Sequence, residues 1–335
     1  MTAPVSQAGC PFVPLLRRNF QRRRPDGSLA RLFHEKAHGC LQGIFRVEPP
    51  DDPALRQGLF AVPGSYPALV RFSSGLLDDD RLPDARGMAI RLSGVPGPVC
   101  AGAPPGRQDF LMTDQPRTPS RDADEALRFF TAIDGIGEIT PLRLVAPSYL
   151  VPGFNPRRIR WHYAALMLDT ALAHLRETLF GRDLAALTYH GVTPYRLGEG
   201  AMKFQCRPVP PIARARRRPG GNFAERLQAR LNRGPLSFDF LIQPRQGEDD
   251  PLDSAGTPWR GPLIRVARLE LPPQDPAAGL AAGERITFNP WNALAAHEPL
   301  GSLNAARRAV YAASAADRGA VPPLPDETSE DHPSP

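Results

Sequence analysis

The sequence predicts an α+β fold, built on a mostly antiparallel sheet or barrel with a smaller number of helices. Several short segments alternate apolar and polar residues, which is typical of half-buried strands. The loops between them are too short for the helical crossovers that parallel strands need. With 335 residues, of which 41% are hydrophobic, the chain is long enough to bury a sizeable core.

The clearest strand covers residues 236–243, where the even-numbered positions form one apolar face. Another strand is expected directly after Gly43. The same alternation predicts strands at 70–73, 88–92, 109–112, 202–206 and 263–269.

Helices are fewer, and three are well marked. The first begins near Pro156 and carries one apolar stripe with spacings of three and four residues, formed by Leu168, Leu172, Leu175 and Leu179. The second follows an N-cap at Ser120. The third runs from Ser302 to about Arg318, and Gly319 ends it.

Composition suggests a basic N-terminal arm at 1–27, one domain at 28–318, and a disordered, acidic, proline-rich tail at 319–335. The net charge is +6, and the basic residues concentrate in clusters at 17–24 and 214–218. Phe20 is the only aromatic residue within these clusters, so we interpret them as solvated loop charges and expect no nucleic-acid partner.

No apolar run approaches the roughly 18 residues of a membrane span, and no export signal precedes the N-terminal arginines. The four cysteines form no CxxC pair, which predicts buried thiols rather than a metal or redox motif. We therefore expect a cytoplasmic protein.

The segment HEKAH at 34–38 matches HExxH, in which two histidines one helical turn apart bind zinc and the glutamate acts as general base. That motif needs a long helix, yet Gly39 and Gly43 follow at once. Leu41 and Ile44 stand where metzincins require glycine and the third histidine. A chance match is the favoured interpretation, and a zinc hydrolase is the least favoured hypothesis.

A set of ordered blocks explains the same histidine better. The blocks are RLFHEKAHG at 31–39, GIFRV at 43–47, VRFS at 70–73, DARGMAIR at 84–91, QDF at 108–110, YRLG at 195–198, FNPW at 288–291 and PLG at 299–301. In order and spacing they resemble the haem-dependent catalase superfamily, in particular its short catalase-like branch of catalase-related peroxidases and allene oxide synthase-like proteins. The resemblance covers residues 28 to 318 and implies the catalase core, an antiparallel β-barrel with flanking helices.

The resemblance implies a haem b cofactor and assigns roles to several residues. His34 corresponds to the distal base that moves a proton between the two peroxide oxygens, and Ser73 to the serine that orients its ring. The arginines that hold the haem propionates correspond to Arg31, Arg71 and Arg196. An unperturbed imidazole pKa of about 6.5 suits proton transfer near neutrality. The fork of a guanidinium pairs with carboxylates bidentately.

Tyr189 lies seven residues before Arg196, the separation at which catalases place the tyrosinate ligand of the iron. The arginine that catalases carry one helical turn earlier is replaced by Ala185. Gly191 and Pro194 interrupt what is a helix in catalases. Tyr195 is a rival ligand, and a packed aromatic without any metal role is a third interpretation of Tyr189.

On the distal side, alignment on Pro116 puts Thr113 where catalases carry an asparagine that hydrogen-bonds peroxide. The Thr113 hydroxyl can donate a hydrogen bond, but its side chain is shorter than that of asparagine. The leading hypothesis is a haem enzyme that metabolises small-molecule hydroperoxides, with organic hydroperoxides favoured. The alternative, motivated by Ala185, Gly191 and Pro194, is a catalase-like scaffold that lacks haem chemistry and serves as a binding or accessory protein. An oligomer is compatible with either hypothesis.

Overall fold

The computed structural model describes residues 10–76, 79–80, 84–118, 120–132, 134, 172, 183–210 and 221–320. The leucine-striped helix, apart from Leu172, lies outside this part of the chain. So do the arginine cluster at 214–218 and residues 321–335 of the expected tail.

Eight antiparallel strands close into a barrel in which each strand pairs with the next one and the last pairs with the first. The strands are Ala37–Val47 (β1), Gly64–Ser74 (β2), Arg86–Ser93 (β3), Arg107–Thr113 (β4), Tyr189–Leu197 (β5), Gly200–Val209 (β6), Leu236–Pro244 (β7) and Ile264–Leu271 (β8). The helices in the described residues are Phe12–Phe20 (α1), Ala123–Ala132 (α2), Phe223–Leu231 (α3), Leu280–Arg285 (α4) and Ser302–Asp317 (α5). The α+β fold with an antiparallel barrel is confirmed.

The barrel interior is the main hydrophobic core. The alternation predicted for β7 is confirmed, because its even-numbered residues Leu236, Phe238, Phe240 and Ile242 all belong to this core. Phe110 of β4 packs 4.7 Å, centroid to centroid, from Phe240 across the interior. Since side chains alternate along a strand, the residues between these core positions face outward. On β2 to β5 they form one wall of the candidate site.

A second, smaller core holds three helices against each other outside the barrel. It contains Phe12 and Leu16 of α1, Ala126 of α2, and Ala309 and Val310 of α5.

Two arginines of the expected basic arm lie on α1 rather than on a loop. The Arg17 guanidinium pairs with Asp317 at 2.5 Å, and that of Arg18 pairs with Asp134 at 2.5 Å. Residues 12–20 are therefore anchored to the helical layer. None of the helices in the described ranges is long and apolar enough to cross a lipid bilayer.

The structure also differs from the sequence expectations at several boundaries. The strand expected after Gly43 begins at Ala37, so it includes the second histidine of the HExxH match. The N-cap of α2 is Asp122, whose carboxylate accepts the Glu125 N–H at 2.8 Å, rather than Ser120. Strand β5 was missed, because Gly191 and Pro194 break both helix and strand patterns. The third helix has the expected bounds, with Gly319 at φ +58° behind it.

Candidate functional site

Four strands place one residue each in a straight row on the outer face of the barrel. Ser73 of β2 is opposite Gly87 of β3, Gly87 is opposite Thr113 of β4, and Thr113 is opposite His190 of β5. Neighbouring strands lie about 4.7–4.9 Å apart, so adjacent members of this row are within side-chain reach. All four residues line one cavity.

His34 lies over the middle of this row. Its backbone has φ +58°, and its N–H donates to the Gly75 carbonyl at 2.6 Å, which fixes the loop before β1 against the end of β2. Nδ1 of its ring lies 3.1 Å from Ser73 Oγ. A Cβ on Gly87 would lie 2.5 Å from both Nδ1 and Cε1 of the ring. Glycine at position 87 is what allows the imidazole to pack against the strand.

The pKa of His34 is lowered to about 4, chiefly because the ring is buried and then because Arg71, Arg307 and Arg31 are nearby. The imidazole is therefore neutral near pH 7. This is the protonation state that a general base needs. Nδ1 is engaged by the Ser73 hydroxyl, and the backbone of Ser74 is a further hydrogen-bond partner of the ring.

Arginines gather at one end of the cavity, around the Glu284 carboxylate. Arg71 donates to Glu284 Oε1 at 2.7 Å and Arg24 to Oε2 at 2.7 Å, while Arg31 Nε lies 3.8 Å from Oε2. Arg318 donates to the Glu284 backbone carbonyl at 2.8 Å.

Burial, followed by repulsion from Arg71 and Arg318, lowers the pKa of Arg31 to about 9. The Nε atoms of Arg31 and Arg71 are buried and make no hydrogen bond. Within the described part of the chain, four guanidinium groups thus surround the single carboxylate of Glu284.

Helix α5 forms the opposite wall, with Arg307 and Tyr311 one turn apart on the cavity side. The Arg307 guanidinium lies 5.5 Å from the centroid of the Tyr311 ring. It also donates to Thr193 Oγ1 at 3.0 Å and to Asn304 Oδ1 at 2.9 Å, which ties α5 to β5.

The cavity between the barrel face and helices α2 and α5 encloses about 330 Å³. That volume lies at the lower end of the usual range for ligand pockets, about 300–1,000 Å³. Its apolar lining is extensive and comes largely from Leu32, Phe33, Phe129, Phe130, Leu303 and Val310. The cavity therefore combines a polar row, a cationic end and an apolar wall.

Five of the residues assigned from the sequence meet at this cavity: His34, Ser73, Thr113, Arg31 and Arg71. Tyr189 and Arg196 do not line it. Tyr189 points into the barrel, where its hydroxyl donates to the Leu184 carbonyl at 2.8 Å, and Arg196 pairs with Glu298 at 2.9 Å on the surface.

The iron ligand expected at Tyr189 and the propionate contact expected at Arg196 are therefore misplaced with respect to the cavity. The physical reason is strand alternation, since Tyr189 and His190 are neighbours on β5 and face opposite sides. Tyr195 is buried in the barrel core as well.

The sequence analysis assigned no role to three further polar residues of the α5 wall, Arg307, Tyr311 and Arg318. Arg307 stands four residues before Tyr311, and Arg318 stands seven residues after it. This matches the spacing expected around the tyrosine more completely than the residues around Tyr189 do. Ala185 lies in the turn before β5, and Gly191 and Pro194 lie on β5 itself. They therefore do not interrupt α5, the helix that carries Arg307 and Tyr311.

The two histidines of the HExxH match do not share a helix face. His34 hydrogen-bonds Ser73, whereas His38 Nε2 lies 2.8 Å from Ser74 Oγ. Adjacent serines on β2 point to opposite sides, so the two imidazoles diverge. Within the described ranges, no group of three or more His, Cys, Asp or Glu side chains converges on a metal position.

Comparison with solved structures identifies the fold as catalase-like. Catalase A from Saccharomyces cerevisiae is 18% identical, with a TM-score of 0.63 over 86% of this chain and 61% of that one. A bacterial catalase is 15% identical, with a TM-score of 0.60 over 88% of this chain and 58% of that one. A fungal catalase is 16% identical, with a TM-score of 0.61 over 86% of this chain and 59% of that one. The protein thus spans less than two thirds of the length of these catalases.

Neither a protein-family model nor a curated protein sequence matches the chain. At these identities the likeness concerns the fold alone, and function rests on the residues of the cavity.

Proposed function

We propose that the protein is a haem-dependent enzyme that reduces or rearranges hydroperoxides in the cavity between the barrel and α5. The observation that carries this proposal is the pairing of two opposed walls. One wall presents the neutral His34 held by Ser73, and the other presents Tyr311 beside Arg307. A base and a phenol facing the same apolar cavity suit a cofactor bound between them.

The cationic end of the cavity fits the two carboxylates of a haem b. Arg31, Arg71 and Arg318 all line the cavity and would hold the propionates. The apolar lining would cover the macrocycle. When bound, haem supplies the redox-active iron that makes cleavage of the O–O bond possible.

Tyr311 would ligate the iron. Arg307 is the cation beside its ring, fixed in place by Thr193 and Asn304.

His34 would carry out the proton transfer. Its Nε2 accepts the proton of the hydroperoxide and returns it to the other peroxide oxygen, while Ser73 keeps the ring in orientation through Nδ1. Burial keeps the imidazole neutral and ready to accept a proton at neutral pH. Thr113, in the same row, would hydrogen-bond the peroxide.

The experiment that tests the proposal compares three tyrosines in protein purified from haem-sufficient cells. The pyridine haemochrome assay should find one b-type haem per chain. Tyr311→Phe should abolish haem retention or convert the spectrum to that of a weaker ligand. Tyr189→Phe and Tyr195→Phe, both in the barrel core, should leave the spectrum nearly intact.

Two outcomes would contradict the proposal. Loss of haem in Tyr189→Phe with none in Tyr311→Phe would return the ligand to β5. Absence of iron after reconstitution with hemin would favour the accessory-scaffold hypothesis, and stoichiometric zinc without a Soret band would favour the HExxH interpretation.

A further inference from the structure

His190 is a second histidine on the cavity wall, with no role in the proposed function so far. It is the last member of the four-residue row, directly opposite Thr113. Its ring faces the cavity, and its neighbour Tyr189 faces the barrel interior. Burial, followed by the nearby Arg207, lowers its pKa to about 4, so the ring is neutral near pH 7.

The neighbouring strand fixes which ring nitrogen carries the proton. Gln205 of β6 lies opposite His190, and one end of its amide faces both Nη2 and Nε of Arg207 at 2.7 Å. A guanidinium only donates, so the amide oxygen must be at that end. The amide nitrogen is then 3.2 Å from His190 Nδ1 and donates to it.

Because Nδ1 accepts this hydrogen bond, the proton of the neutral ring is on Nε2. Arg207 and Gln205 thus act through each other to keep His190 as an N–H donor. Among the described residues none hydrogen-bonds Nε2.

We propose that His190 is a substrate-positioning residue, whose Nε2–H donates a hydrogen bond to a peroxide oxygen bound beside Thr113. The inference rests on the proposed function and deepens it. Thr113 has one short hydroxyl, which also accepts the Gln115 N–H at 3.4 Å. A histidine one strand spacing away adds a longer donor at the same place.

The two ends of the row therefore have different roles in the proposed reaction. His34, beside Ser73, accepts and returns the proton through Nε2. His190, beside Thr113, keeps its own proton and holds the peroxide. Two neutral imidazoles with opposite hydrogen-bonding roles flank a single substrate position.

The first test uses His190→Leu, which removes the donor, and His190→Gln, which keeps an N–H donor as the matched control. In haem-loaded protein, His190→Leu should raise KM for cumene hydroperoxide about tenfold and weaken the binding of fluoride, an acceptor probe, by a similar factor, the size of one neutral hydrogen bond. His190→Gln should stay within about threefold of wild type in both.

The second test needs no haem. Ring ¹⁵N NMR shifts of His190 should show the Nε2–H tautomer in the wild type. In Gln205→Glu the Nε2–H tautomer should no longer be the only neutral form. A carboxylate accepts a hydrogen bond from Nδ1–H and cannot donate one to Nδ1. An Nδ1–H tautomer in the wild type would overturn the assignment.

The failures are distinguishable. Wild-type protein that takes up no haem, or turns over no hydroperoxide, refutes the proposed function. An active wild type with unchanged KM and fluoride affinity in His190→Leu refutes only the role of His190.

Discussion

Replacing Gly87 with alanine tests the distal geometry without removing any functional group. The added Cβ would lie 2.5 Å from Nδ1 and Cε1 of His34 and 2.9 Å from Ser73 Oγ. Ordinary contact begins at 3.4 Å, so the ring must retreat by about 0.9 Å. That shift stretches the 3.1 Å contact between Nδ1 and Ser73 Oγ beyond hydrogen-bonding distance.

A misplacement of about 1 Å at a reacting group costs on the order of 10²-fold in rate. We therefore expect Gly87→Ala to lower kcat/KM for cumene hydroperoxide by roughly that factor. Haem content should remain that of the wild type, because the new methyl group meets His34 and Ser73 rather than the arginines or Tyr311.

The assay is steady-state turnover on samples matched for haem by the pyridine haemochrome method, with thermal unfolding as a check on the fold. Gly247→Ala is the control, since nothing lies within 4 Å of the position of its Cβ. Wild-type turnover in Gly87→Ala with full haem occupancy would refute the reasoning, because the position of His34 would then not limit the reaction.

Three further predictions follow from the same contacts. Arg71→Ala should lower haem occupancy, because it removes a buried partner for a propionate. Arg196→Ala should leave haem occupancy unchanged, because that side chain pairs with Glu298 on the surface. Equal haem loss in both variants would contradict this assignment. Organic hydroperoxides should exceed hydrogen peroxide in kcat/KM, because the pocket beside Thr113 is apolar and each buried CH₂ contributes about 0.8 kcal/mol; a tenfold advantage for hydrogen peroxide would reverse the argument. Burial lowers the pKa of His297 to about 4, so from its unfolded value of about 6.5 downward only the unfolded chain takes up that proton, and His297 should remove about 3 kcal/mol of the free energy of unfolding as pH drops through this window, in addition to the losses from His34 and His190. Urea titrations from pH 7 to 4 measure it: the wild type should lose about 3 kcal/mol more than His297→Gln, and equal losses would contradict the argument.

The distal half of the site was predictable because its signals are local. On a strand with the pattern Val-Arg-Phe-Ser, alternation alone puts Arg71 and Ser73 on one face, and both line the cavity. Thr113 is close to His34 because β2, β3 and β4 are consecutive antiparallel neighbours. Short-range pattern and nearest-neighbour pairing were sufficient there.

On the other side of the cavity the sequence did not single out one tyrosine, because one spacing occurs twice in the chain. A tyrosine seven residues before an arginine is found at Tyr189 and again at Tyr311. Only the second has an arginine four residues earlier, on a helix whose start and end were both predicted. Tyr189 was chosen for its spacing to Arg196 although Gly191 and Pro194 interrupt a helix there, and Pro194 and the register shift between Gly191 and Tyr195 fit a bulged strand.

His190 was beyond the reach of sequence patterns. Its tautomer depends on Gln205 and Arg207, and both contacts are set by the register between β5 and β6. A lone histidine beside a glycine carries no periodic signal. Register places it at the cavity, and it follows from barrel closure rather than from local sequence.

The cationic end of the cavity links the stability of the fold to its proposed function. Arg31 and Arg71 are almost fully buried, and Glu284 alone cannot balance them together with Arg24 and Arg318. Burial, and then repulsion from Arg71 and Arg318, lowers the pKa of Arg31 to about 9. Within the described residues these arginines also donate to backbone carbonyls, Arg71 to that of Glu35 and Arg31 to those of Gly283 and Ile286. Pairing inside the protein therefore accounts for part of their role, and the proposed ligand would add carboxylate partners to Arg31, Arg71 and Arg318, which all line the cavity. Loss of haem in Arg71→Ala with an intact fold would separate the binding role from the structural one.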